Sequence, residues 1–278
     1  MSRGPRAGWG LKIGTVLLLV FLYLPLGVIV LYAFTTQSTS FTFPPPGLTT
    51  DWFAVAFRQE NMWDAFGRSL AVASAATGVA LLLGGSLAAA VYRATFFGRN
   101  ALAFVVVLPI ALPGIVTGLA LRATFVSVGF PLGYWTIVIG HATFCIVIVF
   151  NNVVARLRRM SPNLVEASAD LGASGWQTFR WVVWPNLATA VLAGGILAFA
   201  LSFDEIIVTT FTRAQDPTLP IYILNSLFRP RNRPVTNVVA LLAIVTTFIP
   251  VLIAQLLTRD PAERRSGTLA AATTQPSA

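Results

Sequence analysis

EASADLGASGWQTFRWVVWPNL, residues 166–187, lies between two stretches apolar enough to cross a membrane. It holds two carboxylates, an arginine, two helix-capping signals and a closing proline. The chain around it avoids charge: of 278 residues, 56% are hydrophobic and 10% charged, with a mean hydropathy of +0.75. An ordinary soluble domain carries about 25% charged residues, so lipid rather than water solvates much of this surface. A segment this polar belongs outside the hydrocarbon core.

A bilayer core of about 30 Å needs roughly 20 apolar residues of helix. Six runs qualify, at about 13–34, 69–92, 101–127, 134–155, 187–211 and 235–258. The first follows Arg3, Arg6 and Lys12, but its apolar part is too long for a signal peptide and no small-x-small cleavage site follows. It reads as a retained first helix after a short tail, 1–12. The fold class is therefore all-α, a polytopic membrane protein with six transmembrane helices over 13–258. No internal repeat is evident. The last residues, 259–278, lack a periodic apolar face and read as a disordered tail.

Basic residues flanking the spans set the orientation. With the N-terminus inside, Arg3, Arg6, Lys12, Arg93, Arg99, Arg156, Arg158, Arg159, Arg180, Arg259, Arg264 and Arg265 lie inside. Arg58, Arg68, Arg213, Arg229, Arg231 and Arg233 lie outside, and Arg122 falls within the third run. The bias predicts both termini in the cytoplasm, although the last outer loop, with four arginines, runs against it. The net charge of +9 is spread over short segments between apolar runs, a topology signal rather than a nucleic-acid face. The outer segment 35–68 contains a PPP run at 44–46, then aromatics suited to an interfacial helix. One cysteine, Cys145, excludes an internal disulfide, and with the lone His141 it cannot make a usual zinc site. Both read as packed bundle residues.

The polar segment falls on the cytoplasmic side, between the fourth and fifth spans. Ser161 can cap a helix that has Pro162 at its first position. That helix runs to about Leu171, where Gly172 can take the left-handed terminating conformation. Ser174 and Gln177 have capping-box spacing and start a second short helix, expected to end near Trp184, before Pro185. Leu164, Ala167 and Leu171 form an apolar stripe, Glu166 and Asp170 an acidic one, and Trp176, Phe179 and Val183 line the second helix. Such a protruding helix–turn–helix, 162–185, suits docking on another protein.

This segment resembles the motif of permease subunits in binding-protein-dependent, type I ABC importers. Glu166, Ala167, Ser168, Gly172, Val182 and Pro185 occupy the family positions Glu-Ala-Ala, Gly, Ile and Pro at matching spacing. Ser168, Val182 and Trp184 depart from the pattern, which has Ala, Ile and Leu there. VVVLPIALPGIVTGLAL, HATFCIVIVFNNVVARLRRMSPNLVEASADLGAS and LAFALSFDEIIVTTF are similar to the second permease of spermidine/putrescine importers. Arg68 stands where such permeases commonly carry Asn.

The resemblance implies a non-catalytic subunit that forms a pathway with a second permease, couples to two ATPase subunits through 162–185, and receives cargo from a periplasmic or extracellular binding protein. It implies Glu166, Ala167, Asp170, Gly172, Ser174, Trp176 and Pro185 as the coupling residues. Glu166 is then either a cross-interface partner for a basic group or an acid favoured by a helix N-terminus. ATP and Mg belong to the partner, because the only lysine, Lys12, lies in GLKIGT without P-loop context. No cofactor or metal is expected in this chain. Polyamines are the implied cargo, with another small cargo such as an organic anion as the alternative that the outer arginines suit. An ion-coupled carrier using Asp204, Glu205 and His141 leaves the 166–185 motif unexplained.

Within the spans, Pro109 and Pro113 can kink the third and free backbone carbonyls along a pathway. Asp204 lies about 17 residues into the fifth run, roughly 26 Å at 1.5 Å per residue. It is expected either to pair with Arg213 at the interface or, with Glu205 and Phe203 beside it, to attract a cationic cargo. Neighbouring helical residues point about 100° apart, so one acid at most faces the path, and Asp204 is the favoured one. Phe203, Asp204, Glu205 and Pro113 are thus the candidate path residues.

Overall fold

The computed structural model describes residues 8–38, 42–93, 97–161, 163–228 and 233–258. The expected tail 259–278, most of the segment 1–12, Pro162, and Arg229 and Arg231 of the last loop lie outside the described residues. Helices occupy nearly all the rest, with one isolated antiparallel bridge, Thr35 to Leu48. Five described helices are long and apolar enough to span: Trp9–Ala33, Glu60–Tyr92, Tyr134–Arg159, Gly175–Phe203 and Arg233–Ile253. A bent pair completes six if counted as one span.

The chain divides into two compact units. The first comprises residues 1–65 and 221–245. It contains α1 (Trp9–Ala33) and the short α2 (Asp51–Phe57). Between them the chain folds back: the Thr36 N–H donates to the Gly47 carbonyl at 3.1 Å and the Trp52 indole to the Thr35 carbonyl at 2.7 Å. Phe34, Phe53, Phe57 and Trp63 follow one another at ring separations of 5.0–6.3 Å. Phe53, Phe57 and Trp63 belong to the stretch whose aromatics were expected at an interface, and with Phe34 they gather around α2. Gln59 and Tyr222 are joined by a side-chain hydrogen bond. Helix α3 (Glu60–Arg93) begins well before residue 69 because no proline interrupts 60–68 and Glu60 supplies an acid to its first turn.

The second unit comprises residues 66–220 and 246–278. Its axis is α6 (Tyr134–Arg159), the most buried of the spans, packed along α9 (Trp184–Phe203). Val149, Phe150, Val153, Leu157, Val183, Leu187 and Ala198 form its core. Lipid tails are as apolar as leucine, so helices in a bilayer associate through close backbone approach. Gly84 of α3 shows this: a Cβ there would sit 2.7 Å from the Ile146 carbonyl. Cys145 and His141 are packed in this bundle, as expected.

Two spans are not the continuous helices that their composition suggested. The third becomes α4 (Arg99–Ala111) and α5 (Gly114–Ser127), bent by 103°. Pro109 is tolerated inside α4, but Pro113 forces Leu112 out of the helical region to ψ 140°. The kink expected at these prolines is therefore a near-perpendicular break. The fifth run ends at Phe203 and restarts as a six-residue α10 (Ile207–Thr212). Asp204 thus lies in a helix break rather than within a span. Beyond it lie α11 (Leu219–Leu227) and α12 (Arg233–Thr258).

Candidate functional site: polar helical turn and helix break

The polar segment folds into α7 (Asn163–Asp170) and α8 (Gly175–Thr178). Gly172 adopts φ +78°, which only glycine reaches cheaply. Around it the Gly172 N–H donates to the Ala169 carbonyl at 2.8 Å and the Ala173 N–H to the Ser168 carbonyl at 3.1 Å. That pair of bonds is a Schellman terminus. The next helix starts with the reciprocal cap predicted from its spacing. The Ser174 N–H donates to Gln177 Oε1 at 2.7 Å, and the Gln177 N–H to Ser174 Oγ at 3.3 Å. Ser168, a departure from the family pattern, shares a buried hydrogen bond of 2.9 Å with Thr178 and so ties the two helices together.

The outward surface of this turn is apolar. Leu171 is 88% exposed and Trp176 70%, and Leu164 and Ala167 are also exposed. Glu166 and Asp170 are exposed and lack an ion pair among the described residues. Glu166 lies in the first turn of α7, as the dipole reading required, and its carboxylate is also open to a basic partner. It borders a cavity of about 430 Å³ with Tyr92, Leu157, Met160, Ser161, Val165 and Val183.

The second short helix does not stop before Pro185. It passes through a π-helical turn, Phe179–Val183, and continues as α9, with Pro185 in that helix's first turn. A proline inside an α-helix clashes with the carbonyl four residues earlier. The wider π turn relieves that clash, and the Trp184 N–H reaches back to the Phe179 carbonyl. Asn186 Nδ2 donates to the Val182 carbonyl at 2.8 Å, and Arg156 Nε to the Asn186 carbonyl at 2.7 Å. Trp184 stands 6.2 Å from Phe179, itself 5.6 Å from Trp176, so the bulk at this departure extends an aromatic row.

At the far end of α9 lies the break. Asp204 caps α9 through its N–H to the Ala200 carbonyl at 3.2 Å. Its carboxylate is exposed and has no hydrogen-bonding or ionic partner among the described residues. The alternative pairing with Arg213 is not formed: that guanidinium donates to the carbonyls of Ala214 and Gln215. Glu205 turns the other way, with Oε1 accepting from the Val208 N–H at 2.8 Å, so it opens α10. It borders a cavity of about 210 Å³ with Pro109, Leu112, Gly114, Thr117 and Thr143, beside the break in the third span. Pro113 sits at that break. Phe203 is buried, 6.2 Å from Phe66, so its ring serves packing rather than the surface. The two acids therefore differ in their partners, although helical spacing does not account for it, since both lie in the break.

Arg122 donates to the Phe211 carbonyl at 3.3 Å. Arg68 meets Asp216 at 3.3 Å and donates to the Pro217 carbonyl at 3.0 Å, while Ser69 Oγ accepts the Leu219 N–H at 2.8 Å. The arginine that departs from the family pattern thus clamps the 216–219 connection. Sequence reasoning missed the polar cluster under the break, where His141, Ser202 and Thr209 join. Its one available signal was a histidine inside an apolar run.

The sequence from 80 to 261 matches the family described as "Binding-protein-dependent transport system inner membrane component". The spermidine/putrescine transport system permease protein PotC of Escherichia coli (strain K12) is 30% identical over 248 residues, 89% of this chain and 93% of that protein. The putrescine transport system permease protein PotI of the same strain is 33% identical over 230 residues, 80% of this chain and 81% of that protein. Among solved structures, a bacterial alginate ABC transporter crystallised with an alginate pentasaccharide-bound periplasmic protein has a chain of the same fold. Its TM-score is 0.66 at 15% identity, covering 90% of this chain and 93% of that one.

Proposed function

Because the chain belongs to the family of binding-protein-dependent transport system inner membrane components, we propose that it lines one half of an ATP-driven import pathway for polyamines. A second permease subunit supplies the other half. Two ATPase subunits bind ATP and Mg and dock on 162–185, and a soluble binding protein delivers cargo to the opposite face. Both termini lie in the cytoplasm, on the side of the polar turn. The chain itself performs no catalysis.

The exposed apolar surface of Leu164, Leu171 and Trp176, beside Glu166 and Asp170, supports the docking role. Water disfavours such a surface, and a partner that covers it while offering a basic group to Glu166 gains on both counts. Two capped termini and the Ser168–Thr178 bond hold the shape against an applied push. Relatives named for spermidine and putrescine, together with the break at Asp204, support the cargo reading.

The observation that carries it is the Asp204 carboxylate, which has no partner among the described residues. It caps the C-terminal end of α9, where the helix dipole disfavours an anion. Stability does not explain an acid there, whereas a passing ammonium group stabilises it. Glu205 spends one carboxylate oxygen on opening α10, whereas the Asp204 carboxylate has no partner among the described residues. In cells expressing the full importer, Asp204→Asn should raise the half-saturating spermidine concentration about tenfold, the equivalent of losing ~1.4 kcal/mol of attraction. Unchanged uptake at equal membrane abundance would remove Asp204 from the cargo path.

A further inference from the structure

His141 is 1% exposed, about two turns into α6, and both ring nitrogens are engaged. Nδ1 lies 2.7 Å from Ser202 Oγ in the last turn of α9, and Nε2 lies 2.8 Å from Thr209 Oγ1 in α10. One ring therefore touches the helix on each side of the 204–206 break. The hydroxyl directions fix which nitrogen carries the proton. Thr209 Oγ1 donates its only proton to the Glu205 carbonyl at 2.8 Å, so it can only accept from His141. Nε2 is then the protonated nitrogen, and Nδ1 accepts from Ser202. The order runs Ser202 O–H to His141 Nδ1, His141 Nε2–H to Thr209 Oγ1, Thr209 O–H to the Glu205 carbonyl.

The two bonds to the His141 ring are buried, with Ser202 3% and Thr209 0% exposed, and the last link, to the Glu205 carbonyl, is part-buried. Its last acceptor is the backbone of the break itself. Glu205 is held twice, by its carbonyl to Thr209 and by its carboxylate to the Val208 N–H. The Asp204 N–H is held to Ala200. The Asp204 N–H and the Glu205 carbonyl and Oε1 are thus bound to the scaffold, while the Asp204 carboxylate has no partner among the described residues. A ring needed only for volume would not require two hydroxyls on opposite sides of a helix break.

We propose that His141 is a positioning residue for cargo passage: it cross-links the end of α9 to the start of α10 and holds the 204–206 turn so that the Asp204 carboxylate stays presented. This rests on the reading of Asp204 as the cargo contact. His141 touches no cargo and acts through the turn.

The test is a double-mutant cycle in cells expressing the full importer. Thr209→Val keeps the side chain's shape and removes the oxygen that links ring to turn, and His141→Phe removes both links. Thr209→Val should raise the half-saturating spermidine concentration about fivefold, the size expected for one buried hydrogen bond, at near-normal maximal rate and membrane abundance. In an Asp204→Asn background the same substitution should add little, because both act through one group. Fully multiplicative losses would overturn the proposal. If His141→Phe fails to reach the membrane, Thr209→Val decides alone.

A second readout needs no cargo. Asp204→Cys in a Cys145→Ser background is labelled with a small maleimide, with and without Thr209→Val. Loss of the link should change the labelling rate about fivefold, and an equal rate would overturn the positioning role. An importer that takes up no polyamine yet shows the changed rate would leave His141 as assigned and reject only the cargo.

Discussion

Replacing Gly172 by valine isolates the mechanical role of the polar turn. The residue sits at φ +78°, and no atom outside its neighbours lies within 4 Å of where a Cβ would be. The substitution therefore meets no clash, and its cost is backbone strain alone. An L-residue held in the left-handed region costs about 1–2 kcal/mol. Escape to negative φ is no cheaper, because it breaks the Gly172–Ala169 and Ala173–Ser168 bonds, each worth about 0.5–1.5 kcal/mol. A penalty of one to two kcal/mol shifts a two-state population by roughly 5- to 30-fold. Alternative angles between α7 and α8 should then be populated, while the buried core of α6 and α9 is untouched. In proteoliposomes carrying the complete importer, ATPase co-purification or ATP-driven uptake should fall about fivefold or more at unchanged permease abundance. Gly172→Asn, which tolerates positive φ far better, should keep most of the activity. Wild-type coupling in the valine variant would refute the reasoning. Equal loss in both variants would show that side-chain bulk, not φ, is at fault.

Topology and energy supply give two further tests. Single cysteines at Ser38 and Gly175, in a Cys145→Ser background, should label from opposite sides of intact cells. Both positions are exposed, so labelling of both by an impermeant reagent would reject the proposed orientation. The purified chain alone should hydrolyse no ATP, since its only lysine lies outside any P-loop. Turnover by a preparation free of ATPase subunits would defeat that expectation.

The spans and the polar turn were legible because their signals are local. Runs of apolar residues mark the helices, Gly172 marks a left-handed terminus, and Ser174 with Gln177 marks a capping box. Pro113 likewise announced a disturbance in the third span, though not its 103°. Pro185 misled for the opposite reason. A proline after a short helix reads as a stop, and only the π turn ahead of it, with Asn186 Nδ2 on the Val182 carbonyl and Arg156 of α6 on the Asn186 carbonyl, lets the helix continue. The break at 204–206 was hidden because SFDEIIVTTF has no glycine or proline. What ends α9 there is the Glu205 side chain opening α10, with His141 bonding across the gap from 61 residues away in sequence. Pairings at that distance leave no periodicity to read.

The π turn bears directly on how the two sites relate. If the second coupling helix had ended at Trp184, a flexible joint would separate the polar turn from the fifth span. Instead Gly175–Phe203 is one helical segment of 29 residues, roughly 43 Å at 1.5 Å per residue. Its first turn carries the capping box and Thr178, whose bond to Ser168 ties it to α7, and its last residues adjoin Asp204. On the proposed reading, a displacement delivered to 162–185 by closing ATPases need not diffuse through side-chain packing to reach the pathway. It travels along a hydrogen-bonded rod whose proline is accommodated rather than hinged. A break immediately beyond that rod has a mechanical use: it lets the end carrying Asp204 move against α10, which α5 and α6 hold in place. His141, bonded to Ser202 and Thr209, keeps the turn that carries Asp204 joined to α10.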